Sequence, residues 1–139
     1  MDPAAVARIQ RSFAAQSMMA TLGAELADVS AGLVRITAPL LPGTRQQQGF
    51  GHAGLTFSIG DSAAGYAALT LLPLEREVVT AEIKINLMAP ARGDHLIATG
   101  RVVKTGKRLC VVTAEVHAHS GKTQTLIAVL QGTMVPVPA

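Results

Sequence analysis

Over residues 3–22 (PAAVARIQRSFAAQSMMATL), Val6, Ile9, Phe13 and Met18 recur at roughly helical spacing, and Pro3 suits a first helical turn. This pattern predicts a helix. Leu33 to Leu41 has strand character, with Leu33, Val34 and Ile36 ahead of a break at Pro42-Gly43. A polar, glycine-rich stretch from Gly43 to His52 then leads into Ala53–Leu72, where Asp61 is the one charged residue. Small residues dominate that segment, and its length and alanine content predict a helix of about 28 Å, ended by Pro73. A helix apolar all round is a buried helix. Each internal glycine disfavours it by about 1 kcal/mol relative to alanine, so close packing is the expected reason for Gly54, Gly60 and Gly65.

Beyond Pro73 the period changes from helical to alternating. In Val79–Met88 the odd positions are Val79, Ala81, Ile83, Ile85 and Leu87, and the even ones are Thr80, Glu82, Lys84, Asn86 and Met88. This predicts a strand whose even face, Thr80 included, is wet. Three further strands are expected at about 95–105, 108–118 and 123–134, separated by Pro90…Gly93-Asp94, Thr105-Gly106-Lys107 and Ser120-Gly121. Such short connections imply antiparallel neighbours and hence a four-stranded meander. Helix, strand, long helix and meander make an α+β fold with one sheet against one helix. The other face and the edges of the sheet need cover, which a second copy of the chain would supply.

Composition narrows the class. The chain has 139 residues, the size of a single domain spanning 1–139, with 49% hydrophobic and 15% charged residues. That balance excludes disorder. The longest charge-free run, Thr123–Ala139, is interrupted by Gln124, Gln131 and prolines, so no membrane span is expected. Asp2, Arg8, Gln10 and Arg11 break any signal-peptide core, and the single cysteine fits a reducing cytoplasm. The net charge of +3 is local: five basic residues against Glu115 follow residue 100, mostly on the turn carrying Lys104, Lys107 and Arg108. That segment has no stacking aromatics, so a nucleic-acid partner is not expected, and a phosphorylated small molecule is the alternative.

Asp61 is the sharpest chemical anomaly, since a carboxyl in a buried helix needs a partner and is a candidate general base or nucleophile. A satisfied structural aspartate is the competing reading. His52 precedes the same helix, where a cap is the simplest role for it. The N–H groups of Ala53 and Gly54 are placed to polarise a carbonyl as an oxyanion hole does. Gln46, Gln47 and Gln48 are solvated loop or amides aimed into a pocket. His95, His117 and His119 lie in the sheet region without acid or thiol at ligand spacing, so no metal site is expected. No G-x-S-x-G elbow, GxGxxG or Walker loop occurs, so no nucleotide cofactor is expected.

The segments QQQGFGHAGLTFSIGDSAAGYAA (46–68), VVTAEIKINLMAPA (78–91) and GRVVKTGKRL (100–109) together resemble the PaaI-like acyl-CoA thioesterases of the hot-dog fold. The resemblance spans about residues 30–135 and rests on the combination: His52-Ala53-Gly54 at a helix start and Asp61 nine residues after the histidine. It implies a long helix wrapped by an antiparallel sheet, dimers paired edge to edge, often assembled into tetramers, and an acyl-CoA substrate. It implies further that Asp61 attacks the thioester or activates water, and that Gln46 contacts the thioester or that water. The backbone N–H of Ala53 or Gly54 polarises the carbonyl, and Thr80 supplies a hydroxyl, sometimes across subunits. Two departures stand out: Ala53 replaces the usual first glycine, and Leu87-Met88-Ala89-Pro90 lacks the usual basic residues. A non-catalytic acyl-CoA binder is the alternative on the same fold, while a dehydratase would need an Asp-His pairing not found around His52 or Asp61.

Overall fold

The computed structural model describes all residues from Met1 to Ala139. In chain order the elements are α1 (Pro3–Ala15), α2 (Ser17–Thr21), β1 (Glu25–Ser30), β2 (Leu33–Pro39), α3 (Ala53–Leu69), β3 (Arg76–Leu87), β4 (His95–Thr105), β5 (Cys110–Ser120) and β6 (Thr123–Pro138), with a short 3-10 turn at Pro42–Thr44. The strands form one antiparallel sheet in the order β1-β2-β4-β5-β6-β3. This is the α+β hot-dog layout, with α3 packed across one face of the sheet.

Several elements depart from the sequence pattern for physical reasons. The N-terminal helix breaks at Gln16, whose backbone is extended (φ −79°, ψ 99°). The break shifts the buried phase, so Met19 is 2% exposed while Met18 stays half in water. The pattern did not reveal β1, an edge strand with mostly exposed positions and an irregularity between Leu26 and Asp28 that interrupts alternation. Nor is there a four-stranded meander. β3 pairs with β6 and forms an edge of the sheet, so the meander is β4-β5-β6 only. β6 also runs further than expected, to Pro138. Its last residues pair with β3 alone, where Pro136 and Pro138 interrupt no ladder with β5.

The core is a cluster of side chains between α3 and the sheet, among them Ile36, Ile59, Leu69, Leu96, Val112, Val116 and Met134. Close approach does explain Gly60, where an added Cβ would stand 3.0 Å from Leu130. The tighter contact comes from the sheet: a Cβ on Gly100 of β4 would lie 2.3 Å from the backbone of Ala63. That glycine lets α3 settle onto β4. The helix is not buried all round, however. Ala53, Gly54 and Phe57 are exposed, and Ser58, Asp61, Ser62 and Gly65 are partly so, giving an outward face that includes the carboxylate.

α3 ends at Leu69, before Pro73, and its C-terminal end is held by a residue the sequence pattern passes over. Arg8 of α1, 7% exposed, donates from Nη1 to the carbonyls of Pro73 (2.7 Å) and Arg76 (3.0 Å), and from Nη2 to those of Leu69 (2.7 Å) and Leu72 (3.0 Å). A guanidinium at a helix C-terminus satisfies orphan carbonyls and complements the helix dipole.

Candidate active site

The N-terminal end of α3 is set by the loop before it. His52 is the N-cap, and its Nδ1 accepts a hydrogen bond from the Gly54 N–H at 2.8 Å. This leaves the ring proton on Nε2. The His52 N–H donates to the Thr44 carbonyl (2.9 Å), and Gly51 N–H donates to the Ala91 carbonyl (2.7 Å). Gly51 is required there, because a Cβ would stand 2.9 Å from both Ala91 and Leu40 side-chain carbons. Gln46 uses its side chain to shape the loop: Oε1 accepts from the N–H groups of Gln48 and Phe50, and Nε2 donates to Gln48 Oε1. Arg45 ties the same loop to the Gly49 and Leu40 carbonyls, and the Arg92 guanidinium lies 5.3 Å from the Phe50 ring centroid.

The consequence for the two candidate oxyanion donors is a division of labour. The Gly54 N–H is occupied by the cap, whereas the Ala53 N–H has no partner and is exposed. Beside it opens a cavity of about 430 Å³ whose lining includes Gln46, His52, Ala53, Thr56, Leu87 and Pro90.

Asp61 lies eight residues further along α3, about 12 Å along the axis at 1.5 Å per residue. It is half-buried, and Thr80 Oγ1 donates to its Oδ1 at 2.7 Å. Strict alternation would have turned Thr80 away. A bulge makes the contact possible: Thr80 pairs with Met134 and Glu82 with Thr133, so Ala81 is an extra residue and the inward phase of β3 flips. Val78 and Thr80 face α3 before the bulge, and Ile83 and Ile85 turn inward after it. Asp61 and Thr80 share a cavity of about 240 Å³ with Ser12, Gln16, Tyr66 and Met134.

The chain therefore places the carboxylate and the unpaired N–H in two separate cavities with no common lining residue. Lys104, Lys107 and Arg108 sit apart from both, exposed on the β4–β5 hairpin around a concavity of about 400 Å³. Thr80, Met134, Cys110 and Thr105 form one cross-strand row, so the base of that hairpin stands roughly 14 Å from Thr80 at 4.8 Å per strand. No cluster of three or more His, Cys, Asp or Glu residues is arranged to hold a metal ion, and no helix is long and apolar enough to cross a membrane. On the opposite face of the sheet, His95 and His119 stack with centroids 4.9 Å apart. Burial first, then the repulsion of His95 and His117, holds the His119 imidazole below its ordinary pKa of 6.5.

The residues the sequence pattern did not point to are Ser12, Gln16 and Tyr66. Tyr66 Oη accepts from Gln16 Nε2 at 2.7 Å and shares a hydrogen bond with Ser12 Oγ at 3.0 Å. Tyr66, the chain's one tyrosine, standing in an otherwise small-residue helix, was the available signal.

Comparison with known proteins follows the same lines. The family model described as the thioesterase superfamily matches residues 48–125. A Halobacterium salinarum protein provisionally named an esterase is 31% identical over 117 residues, 81% of this chain and 77% of that protein. A Saccharolobus solfataricus protein with the same provisional name is 39% identical over 84 residues, 60% of this chain; the match spans about half (53%) of that relative's length. Among solved structures, a thioesterase family protein from Silicibacter pomeroyi superposes with a TM-score of 0.95 at 36% identity, covering 97% of this chain and 99% of that one. The PaaI protein of Escherichia coli shares the fold, with a TM-score of 0.86 at 21% identity over 97% of this chain and 94% of its own. The family model covers more than half of the sequence and the Halobacterium relative more than two thirds of it, so this chain belongs to the thioesterase superfamily.

Proposed function

We propose that the protein is a hydrolase that cleaves acyl-CoA thioesters to the free acid and CoA, with Asp61 as the reacting carboxylate. The observation that carries this reading is the Thr80–Asp61 hydrogen bond, which fixes one carboxylate oxygen and leaves the other free toward a cavity. Two routes use that oxygen. Asp61 attacks the carbonyl carbon, the C–S bond breaks, CoA leaves as the thiolate, and water then hydrolyses the acyl-aspartyl anhydride. Alternatively, Asp61 takes a proton from water as its oxygen bonds to the carbonyl carbon, and the proton passes to the departing sulfur. A thiolate leaves readily, so a single carboxylate suffices without a strong acid, and polarising the carbonyl becomes the main electrostatic task.

The Ala53 N–H is the donor for that task, and a second copy of the chain brings it to Asp61. β3 is an unpaired edge carrying exposed Val79 and Leu87, with exposed Met88 just beyond it. Pairing two β3 edges antiparallel about a two-fold axis sets the two α3 helices antiparallel. The N-terminus of one then approaches the middle of the other, closing the separation that a single chain leaves. Gln46, at the same end, orients the thioester or the water through its remaining amide proton. In this assembly the Lys104–Arg108 hairpin supplies positive charge for CoA phosphates. The non-catalytic binder gains no comparable support, since binding alone has no need of a fixed carboxylate.

A panel of acyl-CoAs assayed for free thiol tests the proposal. Wild-type protein is expected to release CoA, and Asp61→Ala to lower kcat by about 10²–10⁴-fold with the fold retained. Undiminished turnover in the variant would overturn the assignment.

A further inference from the structure

The cavity beside Asp61 extends under the N-terminal helix, and its far end is polar. Tyr66 Oη, Ser12 Oγ and the Gln16 amide meet there, joined by two hydrogen bonds. Counting protons shows what remains. Gln16 donates one of its two amide hydrogens to Tyr66. Between Ser12 and Tyr66 only one hydroxyl proton is used, whichever of them donates. One hydroxyl proton, the second Gln16 amide hydrogen and the Gln16 Oε1 therefore stay available to a visitor. Such a group of spare donor and acceptor suits a neutral hydroxyl, which is both. Asp61 lines the same cavity, and its charge disfavours a second carboxylate there. The volume, about 240 Å³, exceeds the roughly 150 Å³ that admits a benzene-sized six-carbon guest.

We infer that this cavity is the acyl pocket and that Ser12, Gln16 and Tyr66 select acyl chains of about six carbons ending in a neutral hydrogen-bonding group, with the Asp61 carboxylate disfavouring anionic ends. The inference rests on the thioesterase reading above and adds the specificity-determining residues. A site built to hydrogen-bond a substrate group discriminates against the analogue lacking it far more sharply than an apolar pocket rejects a missing methylene.

The test compares hexanoyl-CoA, 6-hydroxyhexanoyl-CoA and adipoyl-CoA on the full-length protein. The hydroxylated chain is expected to have a kcat/KM about tenfold or more above hexanoyl-CoA, and adipoyl-CoA a kcat/KM below both. In Gln16→Leu and Tyr66→Phe the ratio of hydroxylated to plain substrate falls toward one. Hydrolysis of hexanoyl-CoA with no preference in the wild type, or a preference unmoved in both Gln16→Leu and Tyr66→Phe, overturns this inference and leaves the thioesterase reading standing. Absence of turnover on every acyl-CoA overturns both.

Discussion

The two ends of α3 are finished in opposite ways. At the C-terminal end, one buried guanidinium answers the carbonyls of Leu69, Leu72, Pro73 and Arg76. At the N-terminal end the cap satisfies Gly54 but leaves Ala53 N–H open to a cavity. One end is saturated and closed, the other is held rigidly by its loop yet kept one bond short. Unused hydrogen-bonding capacity is costly when buried and useful when aimed at a substrate. The contrast teaches that one end of this helix is finished for stability while the other keeps a donor free.

That contrast can be broken most forcefully at the closed end. Arg8→Met keeps the apolar stem and removes the charge, taking a donor from four carbonyls, of which those of Leu69 and Pro73 keep a backbone N–H. A loss of about 2–4 kcal/mol in unfolding free energy is expected in denaturant titration, with kcat/KM of the remaining folded protein little changed. A variant as stable as the wild type would show that the closed end needs no lock.

A smaller effect sharpens the comparison at the substrate's other extremity. Replacing Lys104, Lys107 and Arg108 together by alanine removes the hairpin charge while touching neither end of α3. The expected result is a KM for acyl-CoA raised about tenfold, more so at low salt, with kcat nearly constant. An unchanged KM in an active protein would reduce these residues to ordinary surface.

The smallest effect lies on the far face of the sheet. Because the His119 pKa is depressed in the folded state, the unfolded chain binds more protons between that value and 6.5. Stability therefore rises with pH across this window, is fully present above 6.5, and falls as the pH drops through it. In thermal melts His119→Asn is expected to flatten this acid-side loss and to leave the pH profile of turnover alone. A mutant melting curve with the same pH dependence would locate the acid sensitivity elsewhere.

How much of this was legible in the sequence follows from the range of the interactions. Asp61 stood out because one charge in a run of small apolar residues violates the local pattern. His52 as a cap was readable for the same local reason. Thr80 was not readable from alternation, because the bulge at Ala81 reverses the phase and nothing in VVTAEIKINL marks the extra residue; only the family resemblance pointed to it. Arg8 was unreadable, since its partners are backbone carbonyls 61 to 68 residues away and any sequence offers those. Gly100 was missed because it spaces helix from sheet across the core, while the pattern drew attention to the helix's own glycines. The strand order failed where a short connection was read as pairing: β3 and β4 follow one another closely but sit at opposite sides of β5 and β6.

The central claim is that the open Ala53 N–H polarises the thioester carbonyl opposite Asp61 of a second copy. Ala53→Pro tests it with almost no collateral change. Ala53 is the first residue of α3, where proline is well tolerated, and His52 before it is already extended (φ −66°, ψ 145°) as a residue preceding proline requires. The substitution removes the N–H alone. The account predicts a kcat on acyl-CoA lower by about 10²–10³-fold with melting behaviour preserved. It also predicts that activity returns when Ala53→Pro and Asp61→Ala proteins are unfolded, mixed and refolded together, because half of the sites in a mixed dimer are intact. A fully active Ala53→Pro enzyme, or mixtures no more active than their components, would contradict it.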